Sequence, residues 1–172
     1  MFVLRRQVAL GPKTTFGLPS RAAYYLAVKT PAELVAAVKL AQAKRWPYRL
    51  LAGGSNVVLP AGPLMGLLIH YLNPRAKIEL AGKIVTVEAG LPLAALIKFA
   101  IKNNLAGLEA LSGIPGTVGG AIVGNAGAYG QCISDHLVAV EIFDEINGHR
   151  VFIKKQCRFA YRDSIFKTPA AR

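Results

Sequence analysis

From Ala110 to Ser134 the chain carries no Lys, Arg, Asp or Glu, yet seven of those residues are glycine. A charge-free stretch of this length invites comparison with a membrane span. Pro115 and the glycines argue against one, because in lipid every backbone N–H and C=O must be bonded within a regular helix. Glycine also packs nothing and loses the most backbone entropy on ordering, so a core built from it has a cost that repeated turns alone hardly explain. The segment is expected to form buried loops and short strands whose bare backbone comes close to something flat. A second charge-free window, Leu50 to Pro74, contains Gly53, Gly54, Pro60, Gly62, Pro63 and Gly66 and carries the same expectation.

Charge is unevenly placed around these windows. Residues 1–102 hold 14 Lys and Arg against 3 acids, residues 103–149 none against 5, and residues 150–172 hold 7 against 1, for a net +12. A basic shell around a cation-free middle suits an anionic ligand attracted over distance to walls made of backbone rather than Lys. A generally basic soluble protein would show the same total. A nucleic-acid partner is not expected, since the basic residues are single and spaced rather than interleaved with aromatics along one face. Cys132 and Cys157 form no C-x-x-C, and Arg5 and Arg6 break the short apolar start, so reduced thiols in a cytoplasmic protein are expected. With 53% hydrophobic residues in 172, the chain can fill one core, or two small lobes sharing one.

Residues 1–20 lack periodicity and are expected to be an extended lead-in. Tyr24–Val28 suits a strand. Thr30-Pro31-Ala32-Glu33 supplies an N-cap, a proline at the first helical position and an acid at the third, opening a helix to about Arg45 with Leu34, Val35, Val38 and Ala41 or Gln42 at helical spacing. Arg49–Ala52 is a short buried strand stopped by Gly53-Gly54-Ser55-Asn56, and Val57–Leu59 resumes the extended chain. Gly66–Leu72, Lys77–Leu80 and Ile84–Glu88 are further strands, the last two joined at Ala81-Gly82. Leu91-Pro92 opens a second helix to about Asn103, with Leu93, Leu96, Ile97 and Ala100 on one side and Lys98 and Lys102 on the other. Leu137–Asp144 and Arg150–Lys154 pair as a hairpin across Asn147-Gly148, and Thr168–Arg172 is a tail. The mixture is α+β.

Several chemistries are excluded. No glycine has another two residues later, so G-x-G-x-x-G is absent, and there is no G-x-x-x-x-G-K-[ST] loop. His70, His136 and His149 are isolated, without H-E-x-x-H or Cys/His spacing, so no metal site is expected. No G-x-S-x-G elbow is present. Glycines following strands remain, and their N–H groups can neutralise a pyrophosphate without Lys or Arg. Gly53-Gly54-Ser55-Asn56 adds a hydroxyl and an amide to such a nest, although a tight turn between strands uses the same residues.

LAGGSN, IPGTVGGAIVGNAGAYG and YRDSIFK, in this order and spacing, with KTTFGL and GLEALSGIPGTVGG, closely resemble the UDP-N-acetylenolpyruvoylglucosamine reductases over about Thr14 to Lys167. The resemblance implies a two-lobed FAD-binding fold of the vanillyl-alcohol-oxidase and p-cresol-methylhydroxylase (PCMH/VAO) type, a small α/β lobe plus a mainly antiparallel sheet lobe, with non-covalent FAD between them. It implies lobes at 21–75 and 76–167. Gly53, Gly54, Ser55 and Asn56 would hold the pyrophosphate, while Pro115, Gly116, Thr117, Gly119, Gly120, Asn125, Gly127, Ala128 and Tyr129 would wrap pyrophosphate and isoalloxazine. Tyr161 and Arg162 would face the reactive edge of the flavin. NADPH would supply the hydride and a UDP-sugar enolpyruvate would receive it, in peptidoglycan synthesis, with Arg162 stabilising the developing enolate; a forked, permanently charged guanidinium suits that role. A salt bridge to Asp163 is the other reading of Arg162. Family members continue past YRDSIFK into a substrate-binding domain, which is expected to be missing here, or supplied by a companion chain. Ser164 belongs to the YRDS segment and is not expected to be a proton donor. A non-catalytic flavin-binding or scaffold module is the alternative.

Overall fold

The computed structural model describes residues 3–144, 146 and 148–167. Its first half is organised by one βαβ crossover. Strand β2 (Ser20–Val28) leads into helix α1 (Pro31–Ala43), which returns the chain to β3 (Tyr48–Leu51). As expected from Thr30-Pro31-Ala32-Glu33, the Thr30 hydroxyl accepts the Glu33 N–H at 3.2 Å and Pro31 occupies the first helical position. Leu34, Ala37, Val38 and Ala41 then face the sheet. Strand β4 (Gly62–Tyr71) inserts between β2 and β3, parallel to both. At Gly66 (φ +85°) β4 takes in one extra residue relative to β2; a side chain there would run into the Pro47 backbone, so the bulge needs glycine.

The lead-in is more than extended chain. Residues Arg5–Ala9 form β1, an edge strand antiparallel to β2, giving the order β1-β2-β4-β3. This strand shows no apolar alternation because it is an edge strand, with all but one of its residues exposed. Leu26, Val28, Leu67 and Ile69 make the core under α1, and Leu10, Ala22, Leu51, Leu64 and Leu68 fill the opposite face. Fully burying each such side chain is worth about 1.5–3 kcal/mol. Tyr24 stacks on Trp46 with ring centroids 4.0 Å apart.

The second half has a separate core. Hairpin β5 (Ile78–Ala81) and β6 (Ile84–Val87) precedes α2 (Leu93–Lys102). All four residues expected on the apolar side of α2, Leu93, Leu96, Ile97 and Ala100, are buried, while Lys98 and Lys102 are exposed. The glycine-rich segment departs from expectation: besides loops and short strands it holds helix α3 (Val118–Val123), too short and too glycine-rich to show a helical period. Val118 and Ala121 of α3 pack with Leu91, Leu111 and Ile133. Strands β7 (Gly127–Ala128) and β8 (Gln131–Cys132) form a minimal ribbon, and β9 (Ala139–Asp144) and β10 (Gly148–Ile153) form the expected hairpin. Gly148 pairs with Asp144 and so belongs to β10 rather than to the turn expected at Asn147-Gly148; Asn147 lies outside the described residues, as does the tail from Thr168. The antiparallel strands of this half are thus three two-stranded ribbons. Among the described residues no helix is long and apolar enough to cross a membrane, and no group of three His, Cys, Asp or Glu could hold a metal ion.

Candidate functional site

The two glycine segments meet. A Cβ built on Gly53 would lie 3.1 Å from the Gly116 Cα, and the Ser55 hydroxyl donates to the Pro115 carbonyl at 3.1 Å. The ends of β3 and the loop before α3 therefore form one junction. Along it, the N–H groups of Gly53, Gly54, Ser55 and Asn56, and those of Gly116 and Thr117, donate no hydrogen bond among the described residues. Successive backbone donors left without a partner in the protein can act together as a nest for an anion. The Ser55 side chain does not add its proton to this set, as the sequence suggested, because Pro115 takes it.

The N-terminus of α3 behaves differently. Its N–H groups are consumed within the fold: Val118 donates to the Leu91 carbonyl at 2.8 Å, Gly119 to Ala89 at 2.8 Å, and Gly120 to the Thr117 hydroxyl at 3.2 Å. Gly119 and Gly120 thus offer no donor to a phosphate, contrary to the expectation of bare N–H groups throughout the segment. Much of the glycine content also answers to the protein's own packing. A methyl on Gly54 would collide with the Lys13 carbonyl, one on Gly119 would sit 2.7 Å from the Ala89 Cβ, and one on Gly127 would sit 2.5 Å from the Gln131 carbonyl oxygen.

Gly120 and Gly124 are the exceptions. Both have negative φ, and a Cβ on either would meet only one neighbour, at 3.4 Å (Thr117 Oγ1) and 3.5 Å (the Gly120 carbonyl). They lie four residues apart on one side of α3, Gly120 exposed and Gly124 half-buried. Neither packing nor backbone conformation requires glycine at these two positions, so a bare strip is left where a flat group can lie. Beside it, Asn125 is 5% exposed, and its Oδ1 is a buried acceptor without a donor. A flavin dinucleotide, with an anionic pyrophosphate, a flat ring system and ring N–H, fits the junction, the strip and that acceptor.

Asn125 also ties in the YRDSIFK segment. Its Nδ2 donates to the Ala160 carbonyl at 2.9 Å, and the buried Ser164 hydroxyl donates to the Val123 carbonyl at 2.7 Å. Ser164 is consumed in docking, consistent with its exclusion as a proton donor. Between these anchors Tyr161 is 89% exposed and Arg162 stands in the left-handed region (φ 54°) with its side chain exposed. The Lys167 ammonium donates to the Arg162 carbonyl, and among the described residues Arg162 makes no ion pair with Asp163. Asn125 (φ 41°) and Tyr129 (φ 51°, 94% exposed) share the left-handed conformation, a concentration of backbone strain typical of functional loops. Tyr129, Gly127 and Ala128 lie on the ribbon following α3 rather than at the Gly53–Gly116 junction.

The sequence reading missed one wall. The turn carrying Lys13, Thr14 and Thr15 lies on the first glycine loop, where Thr15 N–H donates to the Gly54 carbonyl at 3.0 Å. Lys13, Thr14, Thr15, Gly53, His70 and Leu72 line a groove opening beside the junction. The Tyr25 hydroxyl and His70 Nδ1 are 2.7 Å apart, and burial, with the Lys13 ammonium nearby, pushes His70 below its ordinary pKa, partly offset by the Ala52 carbonyl. The presence of KTTFGL among the resembling motifs was the one available signal for this wall.

A mixed sheet built on one βαβ crossover, meeting a second core at the Gly53–Gly116 junction, is an FAD-binding fold of the PCMH/VAO type. The chain belongs to the FAD binding domain family, which matches residues 22–153. It is 38% identical over 154 residues to a UDP-N-acetylenolpyruvoylglucosamine reductase of Solibacter usitatus, covering 90% of this chain and 48% of that protein. The crystal structure of UDP-N-acetylenolpyruvylglucosamine reductase from Thermus caldophilus superposes with a TM-score of 0.78 at 32% identity, covering 95% of this chain and 57% of that one. Aclacinomycin oxidoreductase shares the fold, at a TM-score of 0.66 and 19% identity over 89% of this chain and 34% of that one. The chain spans about half the length of the curated relatives it matches.

Proposed function

We propose that this chain is the flavin-holding part of a cytoplasmic UDP-N-acetylenolpyruvoylglucosamine reductase, taking electrons from NADPH for the reduction of a UDP-sugar enolpyruvate in peptidoglycan synthesis. The observation that carries the reading is the set of N–H groups of Gly53–Asn56 and Gly116–Thr117, without a partner among the described residues, at the junction where the two glycine segments meet. Non-covalent FAD, when bound, supplies the hydride-transfer chemistry. The residues of this chain would do the rest: the nest neutralises the pyrophosphate, the strip of Gly120 and Gly124 admits the ring system, and the Asn125 Oδ1 accepts a ring N–H. Gly119, Gly127, Ala128 and Tyr129 would shape the rim, Ser55 and Pro115 would hold the two glycine loops together, and Gly54 would hold the lead-in turn. Arg162, kept charged at any working pH, would face the carboxylate and developing negative charge of the enolpyruvyl group, with Tyr161 beside it. We place these roles in two units, 21–75 and 76–167.

A non-catalytic flavin-binding module is the second reading, favoured by the exposure of Tyr161 and Arg162. Uptake of FAD by the purified chain, followed by NADPH oxidation with and without the UDP-sugar enolpyruvate, separates the two. Substrate-dependent oxidation supports the reductase; FAD uptake without it, even after adding the C-terminal half of a relative, supports the module. A chain that stays colourless in excess FAD rules out both.

A further inference from the structure

We infer that Lys13 is a phosphate-binding residue, and that the groove it lines takes the pyrophosphate end of the bound dinucleotide; this rests on the FAD reading above. The Lys13 side chain is half-buried, its ammonium lies 5.1 Å from the centre of the Tyr25 ring, and among the described residues it has no carboxylate partner. A cation so placed is available to the counter-charge of an anionic ligand. Its surroundings offer none: the groove is completed by the hydroxyl-bearing Thr14 and Thr15, by His70, whose protonation Lys13 opposes, and by Gly53, the first of the unused N–H donors. The Tyr25 ring beneath and the Gly54 carbonyl, which holds Thr15, fix the lysine-bearing turn against the loop. The groove thus brings a positive charge and no carboxylate up to Gly53, where the nest begins. An ion with two negative phosphates satisfies both, with Lys13 supplying the full charge that backbone dipoles alone lack.

The test compares FAD affinity, by quenching of flavin fluorescence, for the wild-type chain, Lys13→Gln and Lys13→Arg at low and high salt, with the ³¹P resonances of bound FAD as a second readout. Loss of a charge-assisted contact is expected to weaken binding about tenfold in Lys13→Gln at low salt. The gap should narrow at high salt as the wild-type advantage is screened, Lys13→Arg should restore most of the affinity, and the ³¹P resonances should move in Lys13→Gln. Equal affinity of wild type and Lys13→Gln overturns the inference and leaves the FAD reading intact. So does a loss that is the same at both salts with unmoved ³¹P resonances, since that marks lost packing on Tyr25. Failure of the wild type itself to bind FAD overturns both. Thermal melting of the flavin-free variants identifies any that do not fold, in which case Lys13→Arg against wild type decides through the ³¹P shift alone.

Discussion

Gly120→Ala separates the demands of the fold from those of a ligand. The position is exposed on α3, φ is ordinary, and the new Cβ would have only the Thr117 hydroxyl near it, at 3.4 Å. Alanine in a helix is favoured over glycine by about 0.5–1 kcal/mol, which for a domain of this size raises the melting temperature by about 1–4 °C. The flavin-free protein should therefore become more stable. If the strip exists to admit a flat ring system, the same methyl intrudes on it at an overpacking cost of about 1–3 kcal/mol, weakening FAD about 5- to 150-fold. Stability and affinity move in opposite directions. Gly119→Ala is the counterpart: its Cβ would lie 2.7 Å from the Ala89 Cβ and 3.1 Å from the Ala89 carbonyl oxygen, so it should lower the melting temperature without flavin. Differential scanning fluorimetry of the flavin-free proteins and fluorescence titration with FAD measure both quantities. Unchanged FAD affinity in Gly120→Ala would refute the argument that this glycine is kept for a ligand, whatever happens to stability.

Asn125→Asp keeps the size and tolerates the left-handed backbone but sets a carboxylate against the Ala160 carbonyl, so urea unfolding should show a loss of about 1–3 kcal/mol and proteolysis should reach the YRDSIFK segment first. His70, held below its ordinary value near 6.5 chiefly by burial and then by Lys13, takes up protons more readily unfolded than folded. Its contribution to stability is complete above that ordinary value and is lost as pH falls through the lower folded value, so wild type should lose stability between pH 7 and 5 more steeply than His70→Gln in denaturant titrations. Charge reversal at Arg162, an exposed residue with no ion pair to Asp163 among the described residues, should leave FAD binding and melting temperature within error. In an enzyme completed by a relative's C-terminal half it should abolish enolpyruvate-dependent NADPH oxidation; parallel loss of FAD would mark Arg162 as structural.

Local signals in the chain were enough for the elements that depend on local rules. The Thr30-Pro31-Glu33 start and the apolar side of α2 follow from capping and periodicity acting within a few residues. Strand β1 and helix α3 escaped because an edge strand and a six-residue glycine-rich helix carry no period to detect; each exists through its partners, β2 for the one and Leu91, Ala89 and Thr117 for the other.

The sequence by itself determined that two charge-free windows are rich in glycine and that no Rossmann fingerprint is present. Those are properties of residue identity and spacing. Only the tertiary structure decided which glycines serve the fold and which are left over, because that depends on what a Cβ would touch across the junction. It also decided which N–H groups remain unused, since donors are consumed by carbonyls distant in sequence such as those of Ala89 and Leu91. For the same reason the wall expected to be free of Lys holds one: Lys13 is 40 residues from Gly53 along the chain, and only the folding of the lead-in turn onto the glycine loop brings its charge to the groove.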